Sequence, residues 1–185
     1  MNESQTFQQV IDTQNKSILL QFEHWCRFEL FSFQFWLLLA MLIIPWIIWV
    51  RLADKKRLAE IFIYGLLVMT VVTFLDEFGC QLNLWEYYID IEPYFPRLIP
   101  MNFSMLPVWY MLVYQYACRW KSFLLANFFS AAFFTFVGEP MLVALKIYVL
   151  FTWKHIYSFP IYIIIAVLLK ALTMLVMKKY RQAQE

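Results

Sequence analysis

Apolar and polar positions along this chain fall into long blocks rather than a short alternation. Five apolar blocks, residues 31–50, 60–79, 101–118, 122–138 and 156–177, are separated by short polar stretches. Each block is about as long as a helix that crosses a hydrocarbon core, which takes roughly 17–25 residues. The pattern predicts an all-α fold, a polytopic transmembrane helix bundle of about five spans. Residues 1–30 form a polar and amphipathic N-terminal segment, 31–177 the bundle, and 178–185 a basic tail. Within 17–30, Ile18, Phe22 and Trp25 share one helical face, which suits a helix lying in the membrane interface. Residues 140–153 are apolar but too short to span, and read as a short outer re-entrant or interfacial helix.

Composition strengthens the membrane reading. Hydrophobic residues make up 63% and charged residues 15% of the 185, against about half and a quarter in soluble domains. A net charge of +2 gives no footprint for a nucleic-acid partner. Residues 1–17 carry Glu3 and Asp12 against Lys16 and no apolar core, so the first span is expected to act as an uncleaved anchor. Asn2 stands where a myristoyl acceptor would need glycine, so that anchor is not expected. Nine Lys and Arg flank the ends of the first, third and fifth spans (Arg51, Lys55, Lys56, Arg57, Arg119, Lys121, Lys178, Lys179 and Arg181). Five lie on the opposite side, which orients the chain N-out and C-in. Lys170, inside the last span, is expected to extend its ammonium towards the cytoplasmic side.

Three glycines exclude a phosphate loop or a dinucleotide fingerprint, and His24 and His155 have no ligand spacing around them, so no metal and no cofactor are expected. Cys26, Cys80 and Cys118 are scattered; Cys26 and Cys80 both fall on the outer side, where a disulfide could persist. Polar residues within the spans are more informative. Thr70, Thr73 and Glu77 follow one another at helical spacing along the second span, with Asp76 beside them, and Asn127, Thr135 and Glu139 share a face of the fourth. Ionisable groups in spans turn away from lipid, so Glu77 and Glu139 are expected to meet inside the bundle. The segment between the second and third spans holds Trp85, Glu86, Tyr87, Tyr88 and Arg97 among Pro93, Pro96 and Pro100. It would roof an acidic, aromatic vestibule, with Arg97 as countercharge. A shift of 62 residues aligns Pro45 with Pro107, Arg57 with Arg119, Thr73 with Thr135 and Glu77 with Glu139, which makes spans one and two the parallel counterpart of spans three and four.

The runs PWIIWVRLADKKRLAEIFIYGLL, FPRLIP, LPVWYMLVYQY, WKSFLLA, EPMLVALKIY and IYSFPIYIII resemble a family of small multi-pass proteins from Gram-positive spore-forming bacteria. The resemblance covers most of 40–170 and implies a bacterial plasma-membrane location. Asp76 followed by Trp85-Glu86-Tyr87 and a proline-rich link is also similar to part of the bacterial membrane lycopene-cyclase domain. Where that family opens its next helix with an acid pair, this chain has Leu106-Pro107-Val108-Trp109. The expectation that follows is a non-enzymatic membrane protein that binds a small or lipidic ligand at the outer vestibule or partners another membrane protein. The alternatives are a membrane enzyme acting on an isoprenoid or lipid through carboxylates, and a small-molecule transporter.

Overall fold

Ser32 opens the bundle: its hydroxyl accepts the Phe35 N–H at 3.1 Å and caps α2 (Phe33–Leu52). The computed structural model describes residues 3–94 and 97–183. Phe95 and Pro96 of the proline-rich link, and positions 1, 2, 184 and 185, lie outside the described residues. Helix α1 (Glu3–His24) ends in a π-turn, Trp25–Glu29, ahead of α2. Then come α3 (Leu58–Gln81), strand β1 (Trp85–Tyr87), a π-turn Met101–Met105 leading into α4 (Leu106–Tyr116), and α5 (Trp120–Phe133). A π-turn Phe134–Gly138 joins α5 to α6 (Glu139–Ala144), followed by β2 (Tyr148–Leu150) and α7 (His155–Gln182). Four helices, Phe33–Leu52, Leu58–Gln81, Trp120–Ala144 and His155–Gln182, are long and apolar enough to cross a membrane. The remaining block, five π-helical residues followed by the eleven of α4, is shorter. The expected tail at 178–185 is helical as far as Gln182, because Lys, Arg and Gln are good helix formers that carry the last turns onward.

The separate short helix expected at 140–153 does not form. Residues 139–144 continue the fourth block, and 148–150 become a strand. Pro140 has no N–H, and its ring would strike a carbonyl four residues back in a regular helix. The π-turn removes that conflict. It admits one extra residue, and the Glu139 N–H bonds to the Phe134 carbonyl, five residues back. Past α6 the chain turns through Lys146 at φ 55° and pairs antiparallel with β1, in the register Trp85 with Leu150, Glu86 with Val149 and Tyr87 with Tyr148. Ile147, Tyr148 and Val149 favour a strand once a partner is present.

The two ends of the bundle are built differently. At one end the α2–α3 turn, the α4–α5 turn and the last turns of α7 converge. Gln115 donates to the Leu52 carbonyl at 2.8 Å, and Glu60 receives Arg57 at 2.9 Å and Arg181 at 3.2 Å. Lys170 does not reach for solvent. It is 2% exposed and donates to the Ala117 and Cys118 carbonyls at 3.1 and 3.2 Å, with the Phe123 ring 3.9 Å from its ammonium. The carbonyls at the end of α4 and a cation–π contact take the place of water. The ribbon, the π-turn after α1 and the described residues of the link, 88–94 and 97–98, occupy the other end.

A local correspondence is visible between the ends of α3 and those of α5–α6. Arg57 and Arg119, 62 apart, stand at the N-caps of α3 and α5, and their carbonyls accept from Ile61 and Phe123. Beyond the π-turn the spacing becomes 63. The bonds Leu82 to Phe78, Asn83 to Cys80 and Leu84 to Gly79 recur as Leu145 to Met141, Lys146 to Val143 and Ile147 to Leu142. Asn83 and Lys146 share the left-handed conformation, at φ 52° and 55°. The extra residue of the π-turn is the added step, so Asp76, rather than Glu77, is the counterpart of Glu139. The strand register maps onto itself under the same shift, which puts a local two-fold axis through the Glu86–Val149 pair.

Gly79 lies directly beneath the Trp85 indole, and a Cβ there would run into the ring. Gly79→Ala is expected to destabilise the protein by about 1–3 kcal/mol and to shift Trp85 fluorescence. Gly65→Ala meets only the flexible Met111 side chain and should cost less. Thermal unfolding of the two variants checks the order; a Gly79→Ala protein as stable as the parent contradicts this packing.

Candidate functional site

Beneath the ribbon, α3, the start of α4, α6 and α7 enclose a cavity of about 330 Å³, at the lower end of the range typical of small-molecule sites. Its wall is mostly apolar, and seven of its lining side chains are aromatic, among them Trp85, Tyr148, Trp153 and Tyr162. Two carboxylates reach it, Asp76 from α3 and Glu139 from α6.

Asp76 is 9% exposed. Its Oδ1 accepts the Trp85 indole N–H at 2.9 Å and the Tyr87 hydroxyl at 2.6 Å, and its Oδ2 accepts the Asn102 amide at 2.6 Å. Acceptance on both oxygens is the pattern of an ionised carboxylate, and it ties α3 to the ribbon and to the start of α4. Glu139 is 8% exposed. One oxygen meets His155 Nδ1 at 2.7 Å and the other accepts the Tyr162 hydroxyl at 3.0 Å. The His155 side chain is 29% exposed, so this pair bridges the cavity and the solvent. Trp85 and Trp153 pack edge-to-face at 5.0 Å over the opening.

Of the residues singled out by sequence, Trp85, Tyr87, Asp76 and Glu139 come together here; Glu77 does not. Its carboxylate accepts the backbone N–H of Arg97 at 2.6 Å and holds the link, outside the cavity. Adjacent positions on a helix point about 100° apart, so the inward turn of Asp76 sends Glu77 aside. Arg97 is not countercharge to either cavity acid, because its guanidinium pairs with Glu86 at 2.8 Å. Thr73 spends its hydroxyl on the Met69 carbonyl. Thr135 is fully buried with an unpaired hydroxyl, and Asn127 donates to the Phe123 carbonyl while its own oxygen is unpaired. Neither lines the cavity. All three cysteines are free; Cys80 is buried and Cys26 exposed, so no disulfide joins them.

Asn102, Tyr148, Trp153, His155 and Tyr162 are the site residues that sequence reasoning missed. One signal was present: Asn102 and His155 are polar residues at the edge of apolar blocks, each one helix on from an acid.

The N-terminal segment docks beside this site. Glu29 accepts the Asp90 N–H at 2.7 Å and contacts His24 at 2.8 Å, while the Trp25 indole donates to the Asp90 carbonyl at 3.2 Å. Ile18 and Phe22 of the expected interfacial face remain exposed. Burial pushes the Asp90 carboxyl up to about 8, against the opposing Leu98 N–H and Arg97.

No family model, no curated protein and no solved structure matches this chain.

Asp90 makes stability depend on pH. An unfolded aspartate titrates near about 3.9, so between about pH 4 and 8 the folded carboxyl holds a proton that the unfolded chain has lost. Its contribution is full below that window and is lost as pH rises through about 8. The unfolding midpoint of the parent protein should therefore fall relative to that of Asp90→Asn between pH 6 and 9. A pH-independent difference contradicts the assignment.

Proposed function

We propose that this is a five-span protein of the bacterial plasma membrane, N-out and C-in, that binds a small lipidic ligand from the outer leaflet without transforming it. The observation that carries the reading is the aromatic cavity with Asp76 and Glu139 in its wall. A bilayer location is supported by the outward faces of the helices: Ile43, Ile44, Ile47 and Ile48 of α2, and Leu168 and Leu175 of α7, are each about half exposed or more. Apolar surface of that extent calls for lipid rather than water. The fifth span is the α4 block, whose two ends join the same ends of the bundle as its neighbours. The orientation rests on the basic residues gathered at the α2–α3 turn, the α4–α5 turn and the end of α7. The bacterial location rests on the resemblance of the apolar runs, and docking to another membrane protein is compatible with the same map.

The His155–Glu139 contact at 2.7 Å favours a second reading, an enzyme that moves a proton on an isoprenoid or lipid. Recovery of the bound compound unchanged after incubation separates the two.

Gly138 supplies the sharpest test. It lines the cavity, and a Cβ there meets nothing nearer than Phe134 at 3.6 Å, so a side chain can start from this position without a clash, and Gly138→Leu is expected to reduce the space. Solvent extraction and mass spectrometry of the parent protein, purified from its own membrane, should yield a low-mass compound that is at least fivefold depleted in an equally stable Gly138→Leu variant. Absence of any such compound from both overturns ligand binding. For the topology, an extracytoplasmic reporter should be active when inserted at Asp90 and inactive when fused at the C-terminus; an active C-terminal fusion contradicts the map.

A further inference from the structure

We infer that the ligand is an organic cation, an ammonium on an apolar body, seated between Asp76 and Glu139. The inference rests on the ligand-binding reading above and adds the chemical class.

Charge is the first ground. No lysine, arginine or histidine is among the residues lining the cavity. Arg97 is committed to Glu86, and Arg57, Arg181 and Lys170 lie at the other end of the bundle. The donors that Asp76 receives come from an indole, a phenol and an amide; they stabilise a carboxylate but bring no charge. Tyr162 adds a neutral donor at Glu139, and among the described residues the only base in contact with either acid is His155, on the Glu139 side at 2.7 Å and outside the cavity lining. A buried carboxylate without a counterion costs several kcal/mol, so a cation entering the cavity supplies at Asp76 what its neutral donors do not.

The wall is the second and independent ground. Indole and phenol faces attract cations, and quaternary ammonium groups are recognised by aromatic cages of this composition. Trp85, Trp153, Tyr148 and Tyr162 surround the same space that the acids enter.

The repeat is the third. Asp76 and Glu139 occupy one position in two copies of a helix–strand–helix unit. In each copy, a residue of the following helix (Asn102 or Tyr162) donates to the acid. Trp85 and Tyr148, nine residues after their acids, also correspond and also line the cavity. The cavity thus meets an acid and an aromatic ring from each copy.

The test compares two molecules of one shape, phenyltrimethylammonium and the neutral tert-butylbenzene, on the full chain in a detergent free of ammonium groups. Tryptophan fluorescence and the thermal midpoint are read against concentration. The expected result is half-saturation by the cation at a concentration at least tenfold lower than by its neutral isostere. That preference should shrink at least tenfold in Glu139→Gln and persist in Asp12→Asn, on exposed α1. Asp76→Asn should act similarly, but Asp76 also ties the roof down, so Glu139→Gln decides if that variant fails to fold. Equal binding of the two isosteres overturns the cation and leaves an apolar ligand site standing. A preference unchanged in Glu139→Gln overturns it as well. Binding of neither probe, with the low-mass compound still recovered from the parent protein, likewise overturns the cation class and not ligand binding; without that compound, both readings fail.

Discussion

Asp76 is the constraint around which this molecule is arranged. A carboxylate at the end of an apolar helix must find donors or face a large desolvation cost. Here it finds three, from a strand nine to eleven residues on and from the helix after that. Hydrogen bonds to a charged group contribute about 1.5–3 kcal/mol each, so the set outweighs the looseness of a short two-stranded ribbon, which would be marginal alone. Those bonds draw β1 down over α3 and bring the start of α4 against both. With Gly79 giving Trp85 room, the ribbon covers a space that side chains do not fill.

The second half of the chain solves the same problem with altered parts. Glu139 takes the place of Asp76, Tyr162 that of Asn102, and His155 adds a contact to solvent. The longer glutamate side chain and the π-turn that carries the helix past Pro140 go together, because both move the acid relative to the backbone frame of the first copy. The outcome is one acid held rigidly by neutral donors and another linked to water through an imidazole.

Much of the architecture could be read from the chain because its helices are long apolar blocks, four of them long and apolar enough to cross a membrane, and such blocks carry their own boundaries. A local correspondence was legible too, through Arg57 and Arg119 at the N-caps of α3 and α5. The site was legible only to within one residue. Glu77 and Glu139 align at a shift of 62, and nothing in the residues 134–138 announces a π-turn, so the true partner, Asp76, stands one position away. The ribbon was hidden for another reason: Tyr148–Leu150 reads as part of an apolar stretch until Trp85–Tyr87, some sixty residues earlier, is placed beside it. His155 and Lys170 likewise looked isolated because their partners, Glu139 and the carbonyls of Ala117 and Cys118, are set by packing between helices rather than by spacing along one.

The central claim is that the space between Asp76 and Glu139 is an occupied site and not a packing gap. An experimental density map of the protein taken directly from its own membrane addresses it. The account predicts non-protein density within the cavity, in contact with both carboxylates and flanked by Trp85 and Trp153. A cavity closed by inward movement of those indoles, with the two acids turned towards water, would contradict it.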